Sequence, residues 1–266
     1  MKELIQNELK SVKQPQLKRL ALAEFLQHLI LQSLSRLGAF KHLVFTGGTA
    51  LRLLYHTSRY SEDLDFSLTD PKDFEFRPLL EKVQSDLDLQ QLGFEIYPSE
   101  VKAVAKADLR FSHLIKEFGI SPLRDQKLTI KIEVDKRPLQ GGKKEIASVT
   151  SPVAYTVTAF DLSSLFATKL HAVFFRGYTK GRDYYDLMWF LGKGVKPNFK
   201  LLNHAIRQTQ GTGFEVSEGD FKDKLLEHLE SIDFGKVCSE VERFIIDQEQ
   251  LKILNLEAVR SLLRNY

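Results

Sequence analysis

Phe45-Thr-Gly-Gly-Thr-Ala-Leu-Arg-Leu-Leu-Tyr55, followed shortly by Asp63-Leu-Asp-Phe-Ser-Leu68, is the stretch on which the fold of this chain turns. His42-Leu-Val-Phe-Thr46 is a short β-type run, Gly47-Gly48 breaks it, and Thr49 is placed to cap a new helix over 50–55. Glycines at a strand-to-helix turn let backbone N–H groups approach an anion, and the helix N-terminus adds a favourable dipole. Alone, such a turn reads as a plain connection. The acid pair downstream shifts the balance. Asp63 and Asp65 are two residues apart in an alternating run, so on a strand they share one face while Leu64, Phe66 and Leu68 take the other. Adjacent carboxylates repel unless a cation lies between them. Mg²⁺ is bound through a few carboxylates, waters and substrate phosphates, so a strand presenting both acids just after this turn suits a Mg-nucleotide. The competing reading is a solvated strand face with two unrelated acids.

Outward from that centre, residues 17–37 carry apolar side chains at helical spacing and Gly38 closes the run. A helix is predicted over 74–92, opened by Asp70-Pro71, with strand-like segments at 93–97 and 101–109. The cleanest strand is Lys127 to Asp135. Leu128, Ile130, Ile132 and Val134 occupy one face, and Thr129, Lys131, Glu133 and Asp135 the other. Glu133, with Asp135 behind it, offers either a third acid for a two-metal site or an ordinary solvent-facing carboxylate. Residues 137–150, with Pro138, Gly141, Gly142 and several lysines, read as a loop. Beyond Pro152 only helices are predicted: 161–176, 182–191, 199–208, 220–229, 235–247 and 256–263. A mixed first half and a helical second half point to an α/β or α+β domain, residues 1–155, followed by a helical bundle, residues 156–266.

A second group of charged residues lies in the helical half. Lys169 interrupts the otherwise apolar Leu165-Phe-Ala-Thr-Lys-Leu-His-Ala-Val-Phe-Phe-Arg176. It reads as a neutraliser of triphosphate charge or as a lysine at the rim of a core helix. Arg182, Asp183 and Asp186 open the next helix. Acids belong in a first turn through the helix dipole and capping, with Asp183 as the cap and Arg182 as the ion-pair partner of Asp186. Tyr184, Tyr185 and Trp189 read as core.

The bulk numbers set bounds. With 266 residues, 43% of them hydrophobic and 27% charged, the chain has material for one large or two modest cores. A net charge of +3 tolerates a nucleic-acid or nucleotide partner without requiring one. The single cysteine, Cys238, allows no internal disulfide and no zinc cluster, which fits a reducing, cytoplasmic setting. Met1 to Lys10 is polar and predicts no secretory signal, and no apolar window is long enough for a membrane span. G-x-G-x-x-G and G-x-x-x-x-G-K-[ST] are absent; Asp233-Phe-Gly235 spells D-F-G, but no H-R-D accompanies it and the Gly-Gly-Thr turn is not a kinase Gly-rich loop, so Rossmann, P-loop and kinase readings have no support.

Taken in order, Phe45–Leu53, Arg59–Phe66, Ile130-Lys-Ile-Glu-Val-Asp135, Ala167-Thr-Lys-Leu-His-Ala172 and Lys180-Gly-Arg-Asp-Tyr-Tyr-Asp-Leu187 resemble the AbiEii/AbiGii toxin-type nucleotidyltransferases of the polymerase-beta-like superfamily. The likeness covers roughly residues 40–190. It implies an α+β fold with a small mixed sheet flanked by helices and then a helical bundle. It further implies Mg²⁺, an NTP substrate, and transfer of NMP to an acceptor such as tRNA or protein with release of pyrophosphate. The same likeness implies a role as the toxin of a toxin–antitoxin or phage-defence pair, with a cognate antitoxin. Carried over by position, Gly47, Gly48 and Thr49 contact phosphates, and Asp63 and Asp65 hold metal, with Glu133 as a third ligand. Lys169 meets the triphosphate, Arg182 and Asp183 contribute to nucleotide binding, and Asp186 acts at the reacting centre. The alternative is a catalytically weak NTP-binding module that interacts with a partner.

Overall fold

The computed structural model describes residues 1–266 except Asp73, Lys102, Arg124 and Asp125. Lys102, in the segment predicted as a strand over 101–109, therefore lies outside the described residues. The chain divides into two compact units. The first holds Met1–His56, Tyr60–Pro138 and Glu145–Ala159; the second holds Thr57–Arg59, Leu139–Lys144 and Phe160–Tyr266.

The first unit is built on α1 (Lys2–Ser11), α2 (Lys18–Arg36), β1 (Leu43–Thr46), α3 (Gly47–Tyr55), β2 (Asp63–Leu68), α4 (Phe76–Asp88), β3 (Phe94–Glu100), β4 (Val104–Phe111), α5 (Leu114–Glu117), β5 (Leu128–Asp135), β6 (Lys144–Val149) and β7 (Tyr155–Phe160). Among the described residues the strands form one seven-stranded sheet, ordered β3-β4-β5-β2-β1-β7-β6. It is mixed: β2 runs antiparallel to β1 but parallel to β5, and β1 runs parallel to β7. Alternation does the sorting. Phe45, Leu64, Phe66, Ile132, Val134, Ala107 and Leu109 are buried, and α2 packs on β5 while α4 packs on β3. Phe45 and Phe66, paired across β1 and β2, bring their rings to 5.4 Å. Each fully buried side chain of this size contributes about 1.5–3 kcal/mol.

The second unit is helical: α6 (Leu162–Phe175), α7 (Gly181–Gly192), α8 (Phe199–Gln210), α9 (Phe221–Glu230), α10 (Phe234–Val241) and α11 (Leu256–Asn265). Several starts are written in the sequence. Asp161, Asn198, Asp233 and Asn255 each accept hydrogen bonds from backbone N–H groups of the helix they precede. Phe166 stacks on Phe190 at 4.4 Å and meets Phe221 edge-on, giving this unit its aromatic core.

The structure departs from the sequence expectations at several places, among them β7, a strand beyond Pro152 where only helices are predicted, and the short α5, which no prediction includes. The N-terminal α1 is an element they do not include, although Ile5 and Leu9 stand one helical turn apart and both are buried. The predicted loop over 137–150 contains β6, whose side chains are mostly exposed and so carry no alternation to read. The predicted helix over 235–247 ends at Val241 and gives way to a short 3₁₀ turn over Glu242–Phe244. No helix among the described residues is long and apolar enough to cross a membrane.

Candidate active site

Within the sheet unit the glycine turn and the acid pair are assembled against each other. Thr46, extended at φ −145°, ends β1, and Gly47 turns the chain at φ +76° into α3. That left-handed backbone suits glycine, and space demands it as well. A Cβ on Gly47 would lie 2.1 Å from Oδ2 of Asp65 and 2.8 Å from its Cβ. The antiparallel register that sets Thr46 opposite Asp65 produces this approach. Asp63 stands one pleat away on the same face, and both acids are partly exposed while Leu64 and Phe66 are buried. The shared-face geometry read from the alternation is thus present, with Asp65 seated on the turn.

Thr49 behaves differently from the expectation. It is fully buried, and its hydroxyl donates to the backbone carbonyl of Asp63. It is not the helix cap either, because α3 already begins at Gly47 with Thr46 as the flanking residue. Its side chain fastens α3 to the first residue of β2 and fixes where the acid pair begins. Any anion at this turn would meet backbone N–H groups rather than the Thr49 hydroxyl.

Glu133 is next to Asp65 in the parallel β2–β5 register, as a third ligand would be. Its Oε1, however, accepts from Lys106 Nζ on β4 at 2.9 Å. Asp135, two residues on, sits opposite Ser67 and is paired with Arg137. Among the described residues no three His, Cys, Asp or Glu side chains converge tightly enough to hold an ion unaided.

The helical unit contains the second charged group, and it is a closed network. Asp186 is 0% exposed; Arg59, itself 1% exposed, grips it with Nε at 2.7 Å and Nη2 at 2.5 Å. Lys169 Nζ lies 2.8 Å from Asp186 and 3.1 Å from Asp183, and Arg176 Nε lies 2.9 Å from the other oxygen of Asp183. Burial opposes charge on each of these groups. The Lys169 and Arg176 charges nevertheless hold the Asp183 carboxyl below its usual range, and Asp186 and Asp183 hold the Lys169 ammonium above its own. The close partners of Asp186 are Arg59 and Lys169, where the sequence suggested Arg182. The Arg182 guanidinium lies 4.2 Å from the ring centroid of Phe244. Asp183 lies inside α7 rather than capping it.

Arg59 is the site residue that sequence reasoning misses. It opens the Arg59–Phe66 motif, yet nothing local marks it for a role, because its partner is 127 positions away. The one available signal is the presence of two acids, Asp183 and Asp186, beside a single arginine in their own turn. The Arg59 backbone is also tied down, bridging Ile245 while Ser58 accepts from the Ile246 N–H at 3.1 Å.

Comparisons with known proteins give the family and the fold. Residues 29–264 match the family model described as "Nucleotidyl transferase AbiEii toxin, Type IV TA system". The crystal structure of JHP933 from Helicobacter pylori superposes with a TM-score of 0.50 at 18% identity, covering 92% of this chain and 95% of that one. A second H. pylori crystal structure, provisionally named a nucleotidyltransferase, gives a TM-score of 0.49 at 19% identity over 90% and 96% of the two chains. These likenesses are of fold. No curated protein matches the chain.

Proposed function

This chain belongs to the AbiEii family of nucleotidyl transferase toxins, and from that premise we propose that Asp63 and Asp65 hold Mg²⁺ for transfer of NMP from an NTP to an acceptor hydroxyl. The observation that carries the proposal is the contact of Asp65 with Gly47: the acid pair and the anion-binding turn occupy one place. The donor set fits the ion. Carboxylate oxygens are hard ligands, and Mg²⁺ completes its octahedron with waters and substrate phosphates instead of a cage of protein groups. When bound, such an ion neutralises charge that develops on the phosphates and lowers the pKa of the attacking hydroxyl.

The residues of the chain do the rest. The Gly47–Gly48 backbone at the start of α3 receives phosphate oxygens through N–H groups and the helix dipole. The Thr49 tie and the β1–β2 register hold the two acids at fixed height, so little reorganisation accompanies reaction. Glu133 contributes less than the pair, being engaged by Lys106. Lys169, Arg182, Asp183 and Asp186 act by positioning, since Asp186 is enclosed and Lys169 is shared between two carboxylates. The family description supports a further part of the proposal: the chain is the toxin of a type IV toxin–antitoxin pair, with a cognate antitoxin and an RNA, such as tRNA, or a protein as acceptor.

The test is transfer from α-³²P-labelled NTPs. Asp63→Asn and Asp65→Asn are expected to lower transfer by roughly 100-fold or more at unchanged thermal stability, and to relieve toxicity on expression. Glu133→Gln is expected to lower it only a few-fold. Asp186→Asn is expected to lower stability and activity together. Full activity in Asp65→Asn would overturn the proposal.

A further inference from the structure

The connection between α6 and α7, Arg176-Gly-Tyr-Thr-Lys180, carries two cations and no acid in five residues. Tyr178 at its centre is 65% exposed, a large aromatic ring left in solvent. Arg176 is fixed beside it: Nη1 donates to the Tyr178 hydroxyl at 3.0 Å, Cζ lies 5.3 Å from the ring centroid, and Nε is anchored on Asp183. The ring is therefore held at its hydroxyl end rather than swinging freely.

Lys180 closes the loop and flanks the first turn of α7, where its carbonyl accepts from the Asp183 N–H at 2.8 Å. Among the described residues its ammonium has no ion-pair partner. Arg59, Lys169 and Arg176 pair with Asp183 and Asp186 in this part of the unit, and Lys180 lies near enough to Asp183 to act on its charge. Burial lowers the Lys180 pKa, and the positive charges of Arg182, Lys169 and Arg176 lower it further against the pull of Asp183. A phosphate would relieve that repulsion.

We propose that this loop is a docking point for single-stranded RNA, with a base stacked on Tyr178 and an adjacent backbone phosphate held by Lys180 and Arg176. An exposed ring with a cation beside it and a second two residues along the chain suits the sequence-independent uptake of single strands: every base has a π-face and every nucleotide a phosphate. A free nucleotide fits less well, because Tyr178 stands out in solvent rather than lining a cleft that would enclose a small ligand. The proposal rests on the transferase reading for its purpose, since the strand would be the acceptor, but not for its test.

That test is binding without turnover. The full chain is titrated into a fluorescently labelled single-stranded RNA oligonucleotide and followed by anisotropy, with Asp65→Asn as a transfer-deficient control. Tyr178→Ala is expected to weaken binding about tenfold, and Tyr178→Phe to retain it. Lys180→Ala is expected to reduce the slope of log K against log salt by about 0.7, one phosphate contact on a single strand. Asp65→Asn is expected to bind RNA like the wild type; this separates failure of the docking point from failure of the transferase reading. Wild-type RNA affinity in both Tyr178→Ala and Lys180→Ala, or no binding by the wild type, would overturn the proposal. So would a raised KM for NTP in both variants at unchanged RNA affinity, which would assign the loop to the nucleotide.

Discussion

Gly47 is the most constrained residue of the proposed site, and for two independent reasons. Its positive φ favours glycine, and the side chain of Asp65 occupies the space a Cβ would need. Gly47→Ala must either strain the turn or push Asp65 away, and the flexible end of the aspartate gives way more easily than the backbone. Transfer is expected to fall at least as far as in Asp65→Asn, while thermal unfolding shows a loss of about 1–3 kcal/mol. A Gly47→Ala protein with normal transfer would show that Asp65 does not need its seat on the turn. Thr49 shows the limit of motif reading for a single residue. A hydroxyl in the right place of a Gly-Gly-Thr turn suggests a phosphate contact, yet it is used internally, on the Asp63 carbonyl.

Between elements, the informative feature is the short stretch Thr57–Arg59. In sequence it links α3 to β2, only four residues ahead of Asp63, but it packs as part of the helical unit. The Arg59–Asp186 pair anchors it to α7, and the bridge to Ile245 anchors its backbone. Removing one partner of such a pair leaves the other charge buried and uncompensated, which costs about 3–5 kcal/mol. Arg59→Ala and Asp186→Ala are each expected to lose stability of that order in chemical denaturation. The double variant Arg59→Met/Asp186→Leu is expected to recover a good part of it, since no charge of that pair is then stranded. Equal stability of Arg59→Ala and wild type would remove the anchor. Asp186 is assigned to positioning because it is enclosed, whereas the family likeness by itself placed it at the reacting centre.

For the molecule as a whole, one buried histidine sets an acid limit. His28 on α2 is 7% exposed, and its Nδ1 lies 2.8 Å from the Tyr155 hydroxyl, which burial keeps protonated and able to donate. Burial, and then the charge of Arg52, push its pKa down from 6.5 to about 4. Because the folded value is below the unfolded one, the neutral form is favoured by folding. The associated stability is complete above pH 6.5, declines as pH falls, and is gone once pH has passed through about 4. The loss is about 3 kcal/mol at 1.36 kcal/mol per unit. His28→Gln, which keeps an acceptor for Tyr155, is expected to flatten the unfolding free energy between those two pH values; an unchanged slope would mean that another group governs it. The family match, which spans most of the chain, also decides between a transferase and a passive NTP-binding module in favour of the former. The α+β class, the Gly47–Gly48 turn, the shared face of Asp63 and Asp65, and the helical second half are all legible in the amino-acid order, because helical and strand periodicity, glycine conformation and capping act over a few residues. Folding in three dimensions was needed to seat Asp65 on Gly47, to engage Glu133 with Lys106, to give Asp186 to Arg59 and Lys169, and to make a strand of the exposed β6. Those outcomes depend on strand register and on charge pairs up to 127 positions apart, where the cost of burying an ion selects the partner that packing brings within reach.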